Sequence, residues 1–408
     1  MQTARLDSLA VRPQVQARID TDAVRDNVAA VRARVAAAHP AGSAPGLLAV
    51  VKANAYGHGL VPCARAALLG GADLLGTAVF AESLALRAAG IEARLLSWLA
   101  SPGADYAPVL TARIEIGVSS TWQLTEVLDA AERTGTPATV HLKVDTGLGR
   151  NGAMPADWPE LVAATAGAVA AGSVRLAGVF THLASADDPT DRATDAQLAA
   201  FADARAVVDA AGLHPEFVHA ANSAAALTRS DSHLDLVRVG LACYGLSPIP
   251  DQASASQLGL RPAMRLSAHL AAVKDVPAGQ GVSYNLTYRT RTATRLGLVP
   301  LGYADGIPRT ASGVGPVLVG GTVRPIAGRV AMDQVVLDLG PDFTAEPGDE
   351  VVLFGPGDSG EPTVQDWASA CGTISYEITT RIPAHVPRLF VGAGAAIGVA
   401  AAAGGSDA

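Results

Sequence analysis

The apolar residues of this 408-residue chain recur with two alternating periods. From Asp20 to Ala38, Val24, Val28, Val31 and Val35 step by four, three and four behind Asp20 or Thr21 as N-cap, which predicts an amphipathic helix after an opening strand, VQARID. Short apolar runs then alternate with Ala/Leu/Val-rich helical stretches: LLAVV (47–51), DLLGTAV (73–79), ARLLSWL (93–99), RIEIGV (113–118), ATVHLKV (138–144), VRLAGVF (174–180), EFVHA (216–220) and LVRVG (236–240). Several helices end at a glycine (Gly70, Gly90, Gly135, Gly172, Gly212), where a left-handed C-cap is wanted. Eight strands alternating with helices predict an N-terminal (β/α)8 TIM-type barrel rather than an open doubly wound sheet. Its chemistry is then expected on the loops that follow the strand C-termini.

Near residue 250 the pattern changes. SPIPDQASASQLG reads as a linker, and MRLSAHLAAV, TRLGLVPL, PVLVGG, VRPIAG, QVVLDL and EVVLF follow as closely spaced strands, with TVQDWASACG as the one obvious helix among them. The expected division is a barrel over 1–250, a mainly β domain over 251–390 and an Ala/Gly-rich tail over 391–408. Leu389–Gly405 is uncharged but mostly Ala and Gly, short of the roughly 20 strongly apolar residues of a membrane span, and MQTARLDSLAVRPQ lacks the apolar stretch of a secretory signal.

Composition narrows the function. With 49% hydrophobic and 17% charged residues the chain is globular, and 30 basic against 38 acidic residues, with no Lys/Arg block, exclude an electrostatic grip on nucleic acid or anionic lipid. A small-molecule substrate is expected. Cys63, Cys243 and Cys371 are too widely spaced for a disulfide framework or a metal knuckle; they read as small buried hydrophobes in a reducing, cytoplasmic compartment, with no metal site.

Only three of the 30 basic residues are lysines, Lys52, Lys143 and Lys274. Where lysine appears against such a bias, a task arginine cannot perform is indicated, because only an amine can deprotonate to attack a carbonyl or capture carbon dioxide. Lys52 ends the first barrel run, in AVVKANAYGHG, which places its amine among apolar residues that lower its pKa and make it a Schiff-base nucleophile rather than a snorkelling surface lysine. Tyr56 can turn back to the same cavity. After the last two barrel runs come Ala221-Asn222-Ser223 and Gly240-Leu241, where this architecture commonly binds phosphate. An amine for an aldehyde and a cradle for a phosphate together describe pyridoxal 5'-phosphate. Arg150, His182 and Arg238 are the other polar residues at strand ends. Arg238, inside a barrel run, needs a partner for its charge. If that partner is the cofactor's ring nitrogen, the guanidinium keeps the nitrogen unprotonated and the ring a weaker electron sink. His182 alone reads as a core histidine.

These residues together closely resemble the alanine racemase family over about Ala17 to Arg388. The blocks VVKANAYGHG, KVDTGLGRNG, GVFTHLASAD, HAANSAA, VRVGLACYG, VSYN, PLGYADG, GRVAMDQ and TISYEITTRIPAHVPR stand in the family's order. The resemblance implies racemisation of alanine, supplying D-alanine for peptidoglycan, with Lys52 as the imine-forming lysine and one acid/base group. It implies Tyr284, from the other subunit of a homodimer, as the opposing base, relieved by a relay of His182 and Arg238. Tyr56, Ser223, Gly240, Leu241 and Tyr376 match phosphate-binding positions. Arg150 matches an arginine near the cofactor's phenolic oxygen and the substrate carboxylate, and Lys143 a carbamylated lysine that orients it. Met332 and Asp333 match substrate-side residues, and Tyr303 and Arg388 the corridor by which substrate enters. Ala331 stands where many relatives carry Cys, and Leu241 replaces a frequent Ile. SWLASPGADY fits loosely, which leaves Trp98 a packing role.

Other readings weigh less. A decarboxylase of the same fold is expected to carry a Cys near the cofactor, and GYADG and MDQ argue against it. A racemase of wider substrate range is poorly separated by sequence. A cofactor carrier without turnover would lack the β domain that holds Tyr284.

Overall fold

A computed structural model describes residues 14–393. All eight barrel runs are strands: β2 (Gly46–Val50), β3 (Leu74–Thr77), β4 (Arg94–Ser97), β5 (Glu115–Val118), β6 (Ala138–Lys143), β7 (Val174–Phe180), β8 (Phe217–His219) and β9 (Leu236–Val239). They form one parallel sheet in the order β8-β7-β6-β5-β4-β3-β2-β9. The ring is completed between β8 and β9 by single backbone bonds at the strand ends, Asp235 N–H to Val218 O at 3.0 Å and Arg238 N–H to Ala221 O at 3.0 Å. The predicted helix is α1 (Thr21–Ala37), and it buries Val24, Val28, Val31 and Val35, the stripe set by their spacing.

The described residues divide into two compact units, Thr21–Arg261 with Gly392 and Ala393, and Gln14–Asp20 with Pro262–Val391. This differs from a barrel unit beginning at residue 1. The opening strand, β1 (Val15–Asp20), pairs antiparallel with β10 (Met264–His269) and parallel with Arg388–Val391, so its ladder partners lie in the C-terminal part of the chain. The second unit has a six-stranded mixed sheet, a three-stranded antiparallel sheet (Ala272–Val276, Thr294–Val299, Val335–Gly340) and a hairpin of Gly281–Val282 with Tyr288–Arg289. MRLSAHLAAV is therefore two strands in different sheets. Two helices interrupt them, the expected Val364–Cys371 and a further one, Ser375–Thr380. Most of the Ala/Gly-rich tail, and the N-terminal stretch read for a signal, lie outside the described residues. Among those described, no helix is long and apolar enough to cross a membrane. The three cysteines are free.

Candidate active site

Lys52 follows β2 by two residues, and the chain then makes a left-handed turn: Ala53, Asn54, Ala55 and Tyr56 all have φ near +54°. For L-residues this costs about 1–2 kcal/mol each. The turn is held by the Glu82 carboxylate, which accepts from the backbone N–H groups of Ala53 (2.6 Å) and Ala78 (3.0 Å). Asn54 Oδ1 adds a bond from Leu60 N–H at 2.8 Å. The result swings the Tyr56 ring inward onto Tyr244, centroids 4.9 Å apart, while the Tyr244 hydroxyl donates to Val50 O at 2.9 Å. Burial, then the Arg150 guanidinium, lowers the pKa of the Lys52 amine, against an opposing pull from Glu82.

Lys143 closes β6 and is 6% exposed. Burial, then Arg238 and Arg150, pushes its amine down to about 8. The loop that follows is built around Asp145, whose carboxylate accepts from Gly147 N–H (2.9 Å), Gly149 N–H (3.1 Å) and Arg150 N–H (3.1 Å). These bonds hold the Asp145 carboxyl below its usual range despite burial, and they fix the backbone that carries Arg150. Lys52, Lys143, Arg150 and Arg238 act on one another electrostatically, making this end of the barrel electropositive.

Arg238 lies within β9 and is buried, as its place in an apolar run implied. Its hydrogen-bond partners are neutral: Thr181 O (2.7 Å), Ala220 O (3.1 Å), His219 Nδ1 (3.1 Å) and His182 Nδ1 (3.3 Å). Burial depresses its pKa to about 9. His182, pushed well below its ordinary value by burial and by Arg238, is neutral. Since Arg238 only donates, His182 Nδ1 is the acceptor and Nε2 carries the proton.

Beside Arg238, Gly240 N–H donates to Ser223 Oγ at 2.8 Å, which leaves the Ser223 proton to give elsewhere. A side chain at Gly240 would collide with Tyr56, its Cβ 3.0 Å from Cζ and closer still to the hydroxyl. Glycine is therefore what lets Tyr56, Ser223 and the Gly240-Leu241 backbone share one small space. Asn222 shapes the turn before Ser223: its Oδ1 accepts from Ala225 N–H at 3.1 Å and its Nδ2 donates one hydrogen to Leu183 O at 3.4 Å, which leaves its second N–H for another acceptor. Trp98 packs against the Gly76 and Gly117 positions of β3 and β5.

The other predicted residues belong to the second unit. Tyr284 is 66% exposed, between residues of positive φ, Ser283 (60°) and Asn285 (61°), and its loop is braced by Ser283 Oγ donating to Arg329 O at 2.7 Å. Tyr303 and Met332 are exposed on two loops joined by Tyr303 N–H to Ala331 O and Ala304 N–H to Met332 O, both 3.0 Å, and Asp333 follows on the same loop, also exposed. Tyr376 is exposed on the helix Ser375–Thr380. Arg388 donates to the carbonyls of Ile382 (2.6 Å), Val386 (2.8 Å) and Pro383, tying down the preceding loop.

Sequence reasoning missed Glu82 and Asp145. For Asp145 a signal was present, since Asp-Thr-Gly-Leu-Gly is the composition of a turn in which a carboxylate gathers backbone N–H groups. Glu82, 30 residues from Lys52 on another helix, gave none.

Two family models match this chain, alanine racemase N-terminal domain over residues 19–248 and alanine racemase C-terminal domain over 263–390. The alanine racemase of Thermobifida fusca is 56% identical over 93% of this chain and 98% of its own length, and that of Streptomyces coelicolor 53% over 95% and 98%. The crystal structure of alanine racemase from D-cycloserine-producing Streptomyces lavendulae superposes with a TM-score of 0.91 at 54% identity, covering 94% of this chain and 98% of that one. With both domains matched and relatives above half identity over nearly its full length, the chain belongs to the alanine racemase family.

Proposed function

We propose that the racemisation of alanine for which the family is named runs here on pyridoxal 5'-phosphate held at the C-terminal end of the barrel. Lys52 and Tyr284 then move the α-proton on opposite faces of the substrate. The observation that carries this reading is an electropositive cluster in which a half-buried amine of lowered pKa, Lys52, stands with Arg150, Lys143 and Arg238. The donor set fits the group. Lys52 Nζ would take the aldehyde carbon, Arg238 would donate to the ring nitrogen, and Tyr56, Ser223 and the Gly240-Leu241 backbone would meet the phosphate, with Tyr376 as a further hydroxyl. A Cβ at Gly240 would fill this cradle. Bound there, pyridoxal phosphate supplies the electron sink that acidifies the α-hydrogen.

The residues of the chain do the rest. Lys52 Nζ, with its charged form disfavoured by burial and Arg150, accepts and returns a proton on one face. Tyr284 Oη does so on the other, and its anion needs a donor to hold it. His182 is neutral with its proton on Nε2, and its Nδ1 is polarised by Arg238. Because Arg238 has donors only, it would hold the ring nitrogen of a bound cofactor unprotonated and make that ring a weaker electron sink. Arg150 would pair with the substrate carboxylate, Met332 and Asp333 would stand on the substrate side, and Tyr303 and Arg388 would border the approach. Lys143, pushed to about 8, has a neutral fraction near neutral pH. Its nitrogen can bond to carbon dioxide with loss of a proton, turning a cation that repels Arg150 into an anion that pairs with it.

Tyr284, Met332 and Asp333 would serve the barrel of a second subunit in a homodimer, in a cytoplasm that consumes D-alanine for peptidoglycan. Mixing inactive Lys52→Ala and Tyr284→Phe variants under subunit exchange should restore up to one intact site per heterodimer. No recovery after verified exchange would refute the shared site.

A further inference from the structure

Beneath Arg238 the barrel interior holds a run of polar side chains that none of the steps above uses. Arg238 Nη1 lies 3.1 Å from His219 Nδ1, His219 Nε2 lies 3.0 Å from His141 Nδ1, and His141 Nε2 lies 2.7 Å from Glu115 Oε2. Glu115 Oε1 accepts from Arg94 Nε at 2.5 Å, and Arg94 Nη1 reaches Glu216 Oε1 at 2.7 Å. Glu115 and Arg94 begin β5 and β4, whereas His219 ends β8. The run therefore crosses the barrel from the N-terminal to the C-terminal ends of its strands. At its lower end Arg87, Arg94, Arg113, Glu115, Arg175 and Glu216 line a cavity of about 700 Å³.

The middle of the run is buried and tightly packed. His141 and His219 are fully buried and Glu115 is 4% exposed. Phe180 stacks on His219 at 4.8 Å, and Phe217 lies parallel to His141 at 6.4 Å. His141 enters the barrel only because β7 has a glycine beside it: a Cβ at Gly178 would sit 2.7 Å from His141 Cε1.

The ends of the run dictate where every proton lies. A guanidinium only donates, so His219 Nδ1 must accept, which puts the His219 proton on Nε2. His141 Nδ1 then accepts, its proton is on Nε2, and that proton goes to a carboxylate, which only accepts. Each imidazole is thus neutral with one tautomer permitted, and a second proton on His219 would point at an Arg238 N–H. Burial lowers the pKa of both histidines, and against burial His141 and Arg94 hold Glu115 at about 2, in agreement with this assignment.

We propose that Glu115 is a positioning residue for Arg238: through His141 and His219 it sets both imidazoles as neutral Nε2–H tautomers and holds Arg238 as a protonated donor toward the cofactor's ring nitrogen. Only the last clause rests on the cofactor reading given above. Glu115 Oε2 accepts from Arg94 Nη2 at 3.2 Å as well as from His141, while Oε1 accepts from Arg94 Nε, so a glutamine at 115 must turn its amide N–H toward one of these donors, Arg94 Nε or His141 Nε2. If the amide oxygen serves Arg94, the amide N–H faces His141 and reverses the tautomers down to Arg238, where two donors then meet.

The test is ring ¹⁵N spectroscopy of histidine-labelled protein freed of cofactor, at neutral pH, with His141 and His219 assigned by single substitutions. Both are expected protonated at Nε2 and unprotonated at Nδ1 in the wild type and in Glu115→Asp, which keeps two carboxylate oxygens. Glu115→Gln should show the second tautomer at His141 and bind pyridoxal phosphate about tenfold more weakly, as for one lost charge-assisted hydrogen bond. An imidazolium or an Nδ1–H form at His219 in the wild type would overturn the proposal, whether or not Glu115→Gln folds. So would Glu115→Gln with unchanged tautomers and unchanged affinity. Wild-type protein that shows the expected tautomers but binds no pyridoxal phosphate would refute the cofactor reading and leave the action of Glu115 on the histidines standing.

Discussion

Gly240→Ala should expose how little room the proposed phosphate cradle leaves. A Cβ there lies 3.0 Å from Tyr56 Cζ and 3.6 Å from Cε2, and nearest of all to the hydroxyl. Tyr56 has little freedom to retreat: its ring is 7% exposed, it rests on Tyr244 at 4.9 Å, Tyr244 is bonded to Val50 O, and its own backbone is in the left-handed region with φ 53°. Forcing one methyl into such packing costs about 1–3 kcal/mol. For a unit of this size each kcal/mol lowers the midpoint of unfolding by about 2–4 °C. Thermal unfolding of the cofactor-free protein should therefore drop by several degrees, and affinity for pyridoxal phosphate should fall by roughly tenfold or more, 1.4 kcal/mol being a factor of ten. The decisive control is a double-mutant cycle with Tyr56→Phe, which removes the atom that meets the new methyl. The stability cost of Gly240→Ala should shrink by about 1 kcal/mol in that background. An equal cost in both backgrounds would refute the steric argument.

Two further perturbations follow from the end of β6 and the loop after it. Asp145→Ala removes the acceptor of three backbone N–H groups, so the protein should lose about 1–3 kcal/mol of stability, with faster hydrogen exchange at Gly147, Gly149 and Arg150; unchanged exchange there would contradict the assigned role. Lys143 has a folded pKa of about 8 against 10.5 for a free amine, so between those values the unfolded chain binds more protons and stability should rise with pH. Lys143→Met should flatten that rise and raise the unfolding temperature at pH 7 in buffer free of carbon dioxide. The slope should not vanish, because the Lys52 amine is lowered too. An unchanged slope would place the titration elsewhere.

What could be read in the sequence follows the range over which each feature is determined. The eight barrel strands are local: each apolar run ends where turn or helix residues begin, and the parallel sheet follows from their alternation with helices. Lys52 stood out because lysine is scarce, and Arg238 because a charge interrupts LVRVG. VQARID reads as a strand but says nothing of its partner, and Val15 pairs with Ala268 more than 250 residues away. The Glu115–His141–His219 run was hidden for the same reason. His141 shares a strand face with Lys143 by the period of two, yet its neighbours come from β5 and β8, and only closure of the sheet brings them together. SYEITT is polar and β-branched, and its helix Ser375–Thr380 buries Ser375, Ile378 and Thr379, a tertiary contact overriding weak local preference.

The central claim is α-proton exchange on both faces of alanine, driven by pyridoxal phosphate bound through Lys52. The most direct measurement is incubation of the pyridoxal-phosphate-loaded protein with L-alanine in heavy water, followed by chiral separation and mass analysis. The account predicts α-deuterated D-alanine approaching an equal mixture with the L-form, and none with Lys52→Ala. An unchanged enantiomer, or a product that has lost its carboxylate, would contradict it.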